Sequence, residues 1–121
     1  MKAILKGIDL NSVVGFEEFV PDNYEVFSIW ITAEIGNESE GADLFQIQVC
    51  TPGYLQEQVS TENAVWGRHM LIVDHYHPPT IRKKIEAYLD HCTGSDWKEI
   101  AKLVARMASW EFEDYQPFTG R

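Results

Sequence analysis

The residues of this chain best suited to chemistry are two close histidines, two cysteines and a run of carboxylates. His75 and His77 flank Tyr76. Two apart on a strand, they point the same way, a spacing some metal sites use, and Asp74 and His69 are near in sequence. A small metal-dependent enzyme would use His75 and His77 with a carboxylate. Spacing fixes no third ligand, however, and Pro78-Pro79 ends the strand at once. Solvated or hydrogen-bonded histidines are the simpler reading. Cys50 and Cys92 have no CxxC partner. Cys50 precedes a predicted helix start, which can lower a thiol pKa, but a nucleophile also needs a base, and no histidine lies near it in sequence. Both cysteines read as small buried thiols. Glu111, Glu113 and Asp114 could gather for acid–base work or for a divalent ion. The interleaved Trp110, Phe112 and Tyr115 indicate instead a packed segment with its charges turned outward. GxSxG, HExxH, GxGxxG and P-loop patterns do not occur. The sequence therefore predicts no catalytic residue, no metal and no cofactor.

What remains is charge. Nineteen acids against ten bases give a net −9. Met1 to Thr80 hold twelve acids and three bases, whereas Ile81 to Arg121 hold seven of each, so the whole excess lies in the first two-thirds. Such a surface repels nucleic acid and anionic membranes and attracts basic partners. Arg82-Lys83-Lys84 is too small a basic cluster to reverse that. Glu17, Glu18, Asp22, Glu25, Glu38, Glu40 and Asp43 are either a solvated face or a surface for a basic protein. Tight binding would also need anchors, and Trp30, Tyr54 and Trp66 are the aromatic residues placed to serve, unless they pack in the core.

The elements that position these groups follow from periodicity. At 121 residues, with 45% hydrophobic and 24% charged residues, the chain predicts one folded domain, 1–121, able to hold a core without disulfides or metal. The clearest stretch is Glu25 to Pro52. Phe27, Ile29, Ile31, Ala33 and Ile35 alternate with Val26, Ser28, Trp30, Thr32 and Glu34, and after Asn37–Gly41 the alternation resumes through Phe45, Ile47 and Val49. Period two makes this a hairpin with one buried face. Lys2 to Leu10 predicts a first strand, with Gly7 a bulge or a close contact. Thr51-Pro52 starts a helix that fades by Asn63. The continuous apolar run Met70–Val73, within a strand from Arg68 to Tyr76, predicts a central strand. Helices follow at about Pro79–Cys92, closed by a left-handed Gly94, and from a Ser95 cap onward. The order is β-β-β-α-β-α-α and then a tail. The class is α+β: a mostly antiparallel sheet of about four or five strands, with two to three helices packed on one face.

Five stretches, in order along nearly the whole chain, carry a resemblance. They are Met1-Lys2-Ala3-Ile4-Leu5-Lys6; Val49-Cys50-Thr51-Pro52 with Leu55; Gly67-Arg68-His69 leading into Leu71-Ile72-Val73; Trp97-Lys98-Glu99-Ile100-Ala101; and Trp110-Glu111-Phe112-Glu113-Asp114-Tyr115. Through them the chain resembles the immunity protein 8 family of bacterial polymorphic-toxin and contact-dependent inhibition systems. The resemblance implies a small cytoplasmic protein, encoded beside a toxin, that binds the toxin domain and blocks it without catalysis. It assigns no binding residue. Toxins of such systems are often basic nucleases, which fits the −9. The N-terminus has no apolar run suited to a signal peptide, and no segment reaches the roughly 20 apolar residues of a membrane helix, so a cytoplasmic monomer or homodimer with reduced thiols is expected.

Overall fold

The computed structural model describes residues 1–113. Its elements are β1 (Ile4–Asp9), β2 (Ser28–Gly36), β3 (Asp43–Cys50), α1 (Pro52–Glu62), β4 (Met70–Ile72), α2 (Pro78–Leu89), α3 (Trp97–Val104) and β5 (Ser109–Trp110). The predicted α+β class and element order hold, with β5 formed by the start of the tail. One five-stranded sheet runs β1-β2-β3-β4, and β5 also pairs with β3. Only β3 and β4 are parallel. β4 takes Gln48 to Cys50 and β5 takes Phe45 and Gln46, so the two share one side of β3.

The hairpin register puts Ile31 opposite Ile47, Ile29 opposite Val49 and Ala33 opposite Phe45. Those side chains and Ile35 form one sheet face, and they meet Ile81, Ile85 and Leu89 of α2 and Ile100, Ala101 and Val104 of α3 in one core. Each large apolar side chain so buried stabilises the fold by roughly 1.5–3 kcal/mol. β1 joins through a bulge. Leu5 pairs with Ile35 and Gly7 with Glu34, which leaves Lys6 as the extra residue. The bulge reverses the parity, so Leu5 before it and Ile8 and Leu10 after it all pack on the core. Plain alternation divides them between two faces. The Lys6 ammonium donates to the carbonyls of Ser39 and Gly41 (2.8 Å to the latter), tying the bulge to the hairpin loop.

Thr51 caps α1 as expected. Its Oγ1 accepts from the Tyr54 amide at 3.3 Å and from the Phe27 amide at 3.2 Å, so one hydroxyl joins the helix start to the foot of β2. Asn63, at φ 69°, ends the helix. None of the residues of α1 is buried.

Three local expectations are corrected. β4 is a three-residue strand at the sheet edge, not a central strand from Arg68 to Tyr76, and Ile72 is 54% exposed. His69, at φ 58°, turns the chain just before it, and the apolar run is divided between the ladder and the core. Gly94 is not left-handed. It is needed because a Cβ there would sit 3.1 Å from that of Glu99, and the chain leaves α2 through further turns at His91 and Cys92. The cap of α3 is Asp96, which accepts from the Glu99 amide at 2.8 Å. Ser95 sits one residue earlier and donates its amide and hydroxyl to the Glu99 carboxylate, which these bonds hold below the usual range.

The connection from Asn11 to Phe27 closes over Tyr76. Phe19, Phe16 and Phe27 surround that ring edge-on at centroid distances of 5.1, 6.0 and 6.1 Å. The Tyr76 hydroxyl donates to the Phe16 carbonyl at 2.6 Å. Burial, followed by the charges of Glu17 and Glu18, pushes its pKa up to about 12. Because the folded pKa lies above the ordinary value of 10, this contribution is complete below pH 10 and is lost as pH rises towards 12. Tyr76→Phe should lower stability at pH 8 by about 1–2 kcal/mol, through the lost buried hydrogen bond. It should also make stability fall less steeply between pH 10 and 12, read from urea unfolding midpoints across that range.

At the other end of the sheet, Asp43 opens β3 on the same row as Phe45 and Ile47, and its side chain turns inward. Its Oδ2 accepts from the Trp97 indole at 2.8 Å and from the Trp110 indole at 3.0 Å. Trp97 begins α3 and Trp110 ends β5. Asp43→Ala orphans two part-buried donors and should cost about 2–3 kcal/mol in urea unfolding. Asp43→Asn, which keeps one acceptor oxygen, should cost about half as much.

Candidate functional site

The groups first considered for chemistry are engaged locally. His75 Nδ1 contacts Asp74 at 2.8 Å, and His77 Nδ1 contacts the Thr80 hydroxyl at 2.8 Å, with the two rings 5.6 Å apart. Among the described residues, no group of three or more His, Cys, Asp or Glu side chains is placed to hold a metal ion. Cys50 and Cys92 are buried free thiols, and burial raises the pKa of both, with Arg106 partly opposing this at Cys92. A protonated thiol is a poor nucleophile. The Glu111 carboxylate accepts from the Leu44 backbone amide, and Glu113 pairs with Arg68 at 3.0 Å. Asp114 and Tyr115 lie outside the described residues.

The acidic residues separate into two groups at opposite ends of β2. Glu17, Glu18 and Asp22 belong to the connection at its foot. Glu17 is fixed by Arg82 at 2.8 Å, and the same Arg82 lies over the Phe16 ring at 5.8 Å. Glu38 and Glu40 sit at the far end, in the loop joining β2 to β3. The nine-residue strand between them spans about 30 Å at 3.3 Å per residue. Glu38 and Glu40 are exposed and make no hydrogen bond or ion pair to a described residue. Their loop is shaped by the left-handed Gly41 at φ 92° and by Asn37, whose side chain accepts from the Ser39 amide at 2.9 Å. Asp43, the third acid of this stretch, is the inward residue that holds the two indoles.

The three aromatic residues lie on three different segments of the chain, and the first turn of α1, with Tyr54, starts against the end of the connection at Glu25 and Val26. Tyr54 is half-buried in the first turn of α1, and Trp66 is 91% exposed in the connection before β4. Trp30 is the third residue of β2, on the face away from the core, and is 49% exposed. Neither charge counting nor loop position singles out its acidic neighbours on that face. Glu34 shares the row of Trp30, and Asp9 lies opposite Thr32. The parity of β2 identifies Glu34. Asp9 is hidden from sequence reasoning by the bulge at Lys6, which shifts the register of β1.

Among the described residues, no helix is long and apolar enough to cross a membrane. No curated protein and no solved structure shows significant similarity to the chain. The family model described as immunity protein 8 matches residues 3–115, from the first strand to the acidic and aromatic tail. With nearly all of its length matched, the chain belongs to the immunity protein 8 family.

Proposed function

We propose that this protein binds a cognate bacterial toxin domain and neutralises it by direct stoichiometric contact in the cytoplasm. Membership of the immunity protein 8 family carries this reading. The charge distribution supports a basic partner of nuclease type, because the whole −9 falls in the first eighty residues and gathers around the β2–β3 hairpin and the connection before it. Inhibition of this kind needs no chemistry from the inhibitor. Covering the path of a nucleic-acid substrate, or presenting carboxylates where its phosphates would lie, is enough.

The acids divide the work. Glu17 is already paired with Arg82, and Asp43 serves the two indoles, so both act through the shape of the surface. Glu18, Asp22, Glu38 and Glu40 are exposed and contribute field. An exposed ion pair is worth only about 0.2–1 kcal/mol, so these charges act mainly on the rate of encounter and on the choice of partner.

Co-expression with the neighbouring toxin domain should yield a copurifying complex that re-forms on mixing. Protection of cells with no detectable complex would overturn the stoichiometric mechanism. Replacing Glu38 and Glu40 together by Lys should lower the association rate about 3–10-fold at low salt and flatten its salt dependence, with little change in dissociation. Stopped-flow mixing at several ionic strengths measures both.

A further inference from the structure

The sheet face away from α2 and α3 is partly open: Thr32, Gln48 and Cys50 are buried on it, and other positions are not. α2 and α3 pack on the side that carries Ile31, Phe45 and Val49. The other side presents Trp30 at 49% and Leu44 at 42% exposure, from regular ladder positions and not from loops. Leu44 borders a depression of about 300 Å³, lined also by Asn11, Thr32, Gln46, Ser109 and Glu111. The register gathers these residues on the same face as Trp30: Thr32 is opposite Gln46, and Gln46 is opposite Ser109. Asn11 reaches over the sheet to donate to the Thr32 hydroxyl at 3.0 Å.

The described acids on this face are carboxylates without a paired cation: Asp9, Glu34 and Glu111 supply them, and the side chains of Glu34 and Asp9 make no hydrogen bond or ion pair to a described residue. Lys6, at the bulge, is the nearby strand cation, and its ammonium is committed to the Ser39 and Gly41 carbonyls. One oxygen of Glu111 accepts from the Leu44 amide, while the other makes no hydrogen bond to a described residue. A half-exposed indole, a depression rich in oxygen acceptors and carboxylates that make no ion pair with a described residue thus lie on a paired ladder.

We propose that this partly open face, and not the hairpin loop, is the anchoring surface for the toxin, with Trp30 buried under a basic face of the partner and a partner arginine entering the depression beside Glu111. The proposal rests on the toxin-binding reading above and locates it. Arginine suits the depression because its side chain offers only donors, five N–H groups in a planar fork that matches a carboxylate and amide oxygens. A large aromatic residue at the centre of a protein interface, once covered, typically dominates the binding energy, while rim charges govern the rate.

The test uses the full chain and a catalytically inactive form of the toxin domain encoded beside it, with rates read by surface plasmon resonance. Trp30→Ala should raise the dissociation rate about 30-fold and leave association within about twofold. Glu34→Lys should weaken binding at least about tenfold. Glu34→Lys should keep the wild-type urea midpoint, because its side chain is exposed; Trp30→Ala also removes the buried half of the indole and should lower the midpoint modestly while leaving the chain folded at the assay temperature, and Glu34→Lys provides the test if Trp30→Ala does not fold. Wild-type binding that both substitutions leave within twofold would overturn this face while leaving the toxin-binding function intact. No wild-type binding at all would overturn that function and this surface with it. Sedimentation of the protein alone covers the remaining occupant: a dimer that Glu34→Lys dissociates would assign the face to a second copy of the chain and overturn the toxin site.

Discussion

A single carboxylate joins the two halves of this fold. The alternation that sends Phe45, Ile47 and Val49 into the core also sends Asp43 inward at the head of the same row. A charge in that position is costly unless donors meet it. The indoles of Trp97 and Trp110 do so at 2.8 and 3.0 Å. Indole nitrogens only donate, so the need is mutual, and each ring is half-buried with its polar atom satisfied. Through this one side chain the start of α3 and the last strand are held against the hairpin. The Phe45 ring stacks on Trp110 at 6.3 Å and continues the contact into the core. An acid of the N-terminal part thus adds a polar tie to the apolar packing that already seats α3 and β5 on the hairpin.

The hairpin and α2 were legible in the sequence because a single period governs each of them. Where two constraints compete, the pattern misleads. In β1 the bulge at Lys6 adds one residue and exchanges the faces, so Ile8 lines up with Leu5 and not with Ile4. At Met70–Val73 an unbroken apolar run signals a strand covered on both faces, yet β4 is short and lies at the edge. Its Leu71 and Val73 face the core, while Ile72 remains in solvent. The parallel pairing of β3 with β4 depends on how α1 carries the chain back, and no local period encodes that. For Asp43 the signal was present. Its turn-like neighbours Gly41 and Ala42 suggest a loop tip, but its parity places it among the buried residues.

The acidic surface was legible as charge and not as geometry. Counting places the excess before Thr80 but cannot divide it. The structure divides it by role. One acid is paired on the surface with Arg82, one is used within the fold, and Glu38 and Glu40 are exposed at the loop with no ion pair to a described residue. Long-range attraction depends on the sum of these charges, whereas lifetime depends on what becomes buried on contact. A protein can therefore be strongly acidic for encounter and still hold its partner with groups that are hardly conspicuous in composition.

That division bears on the position of the anchor. A loop tip such as Glu38–Glu40 is exposed on several sides, so charges there remain solvated in a complex and contribute little to its lifetime. A sheet face is different. Trp30 is flanked by Gln48 across the ladder, and its backbone is fixed by pairing between β2 and β3. Little conformational entropy remains to be lost there on binding, and a half-exposed indole has apolar area left to cover. The physical asymmetry of the fold, with two helices on one side of the sheet and a half-exposed aromatic residue on the other, is what the proposed division rests on: encounter through the acidic ends of β2, and lasting contact at Trp30 on its outer face.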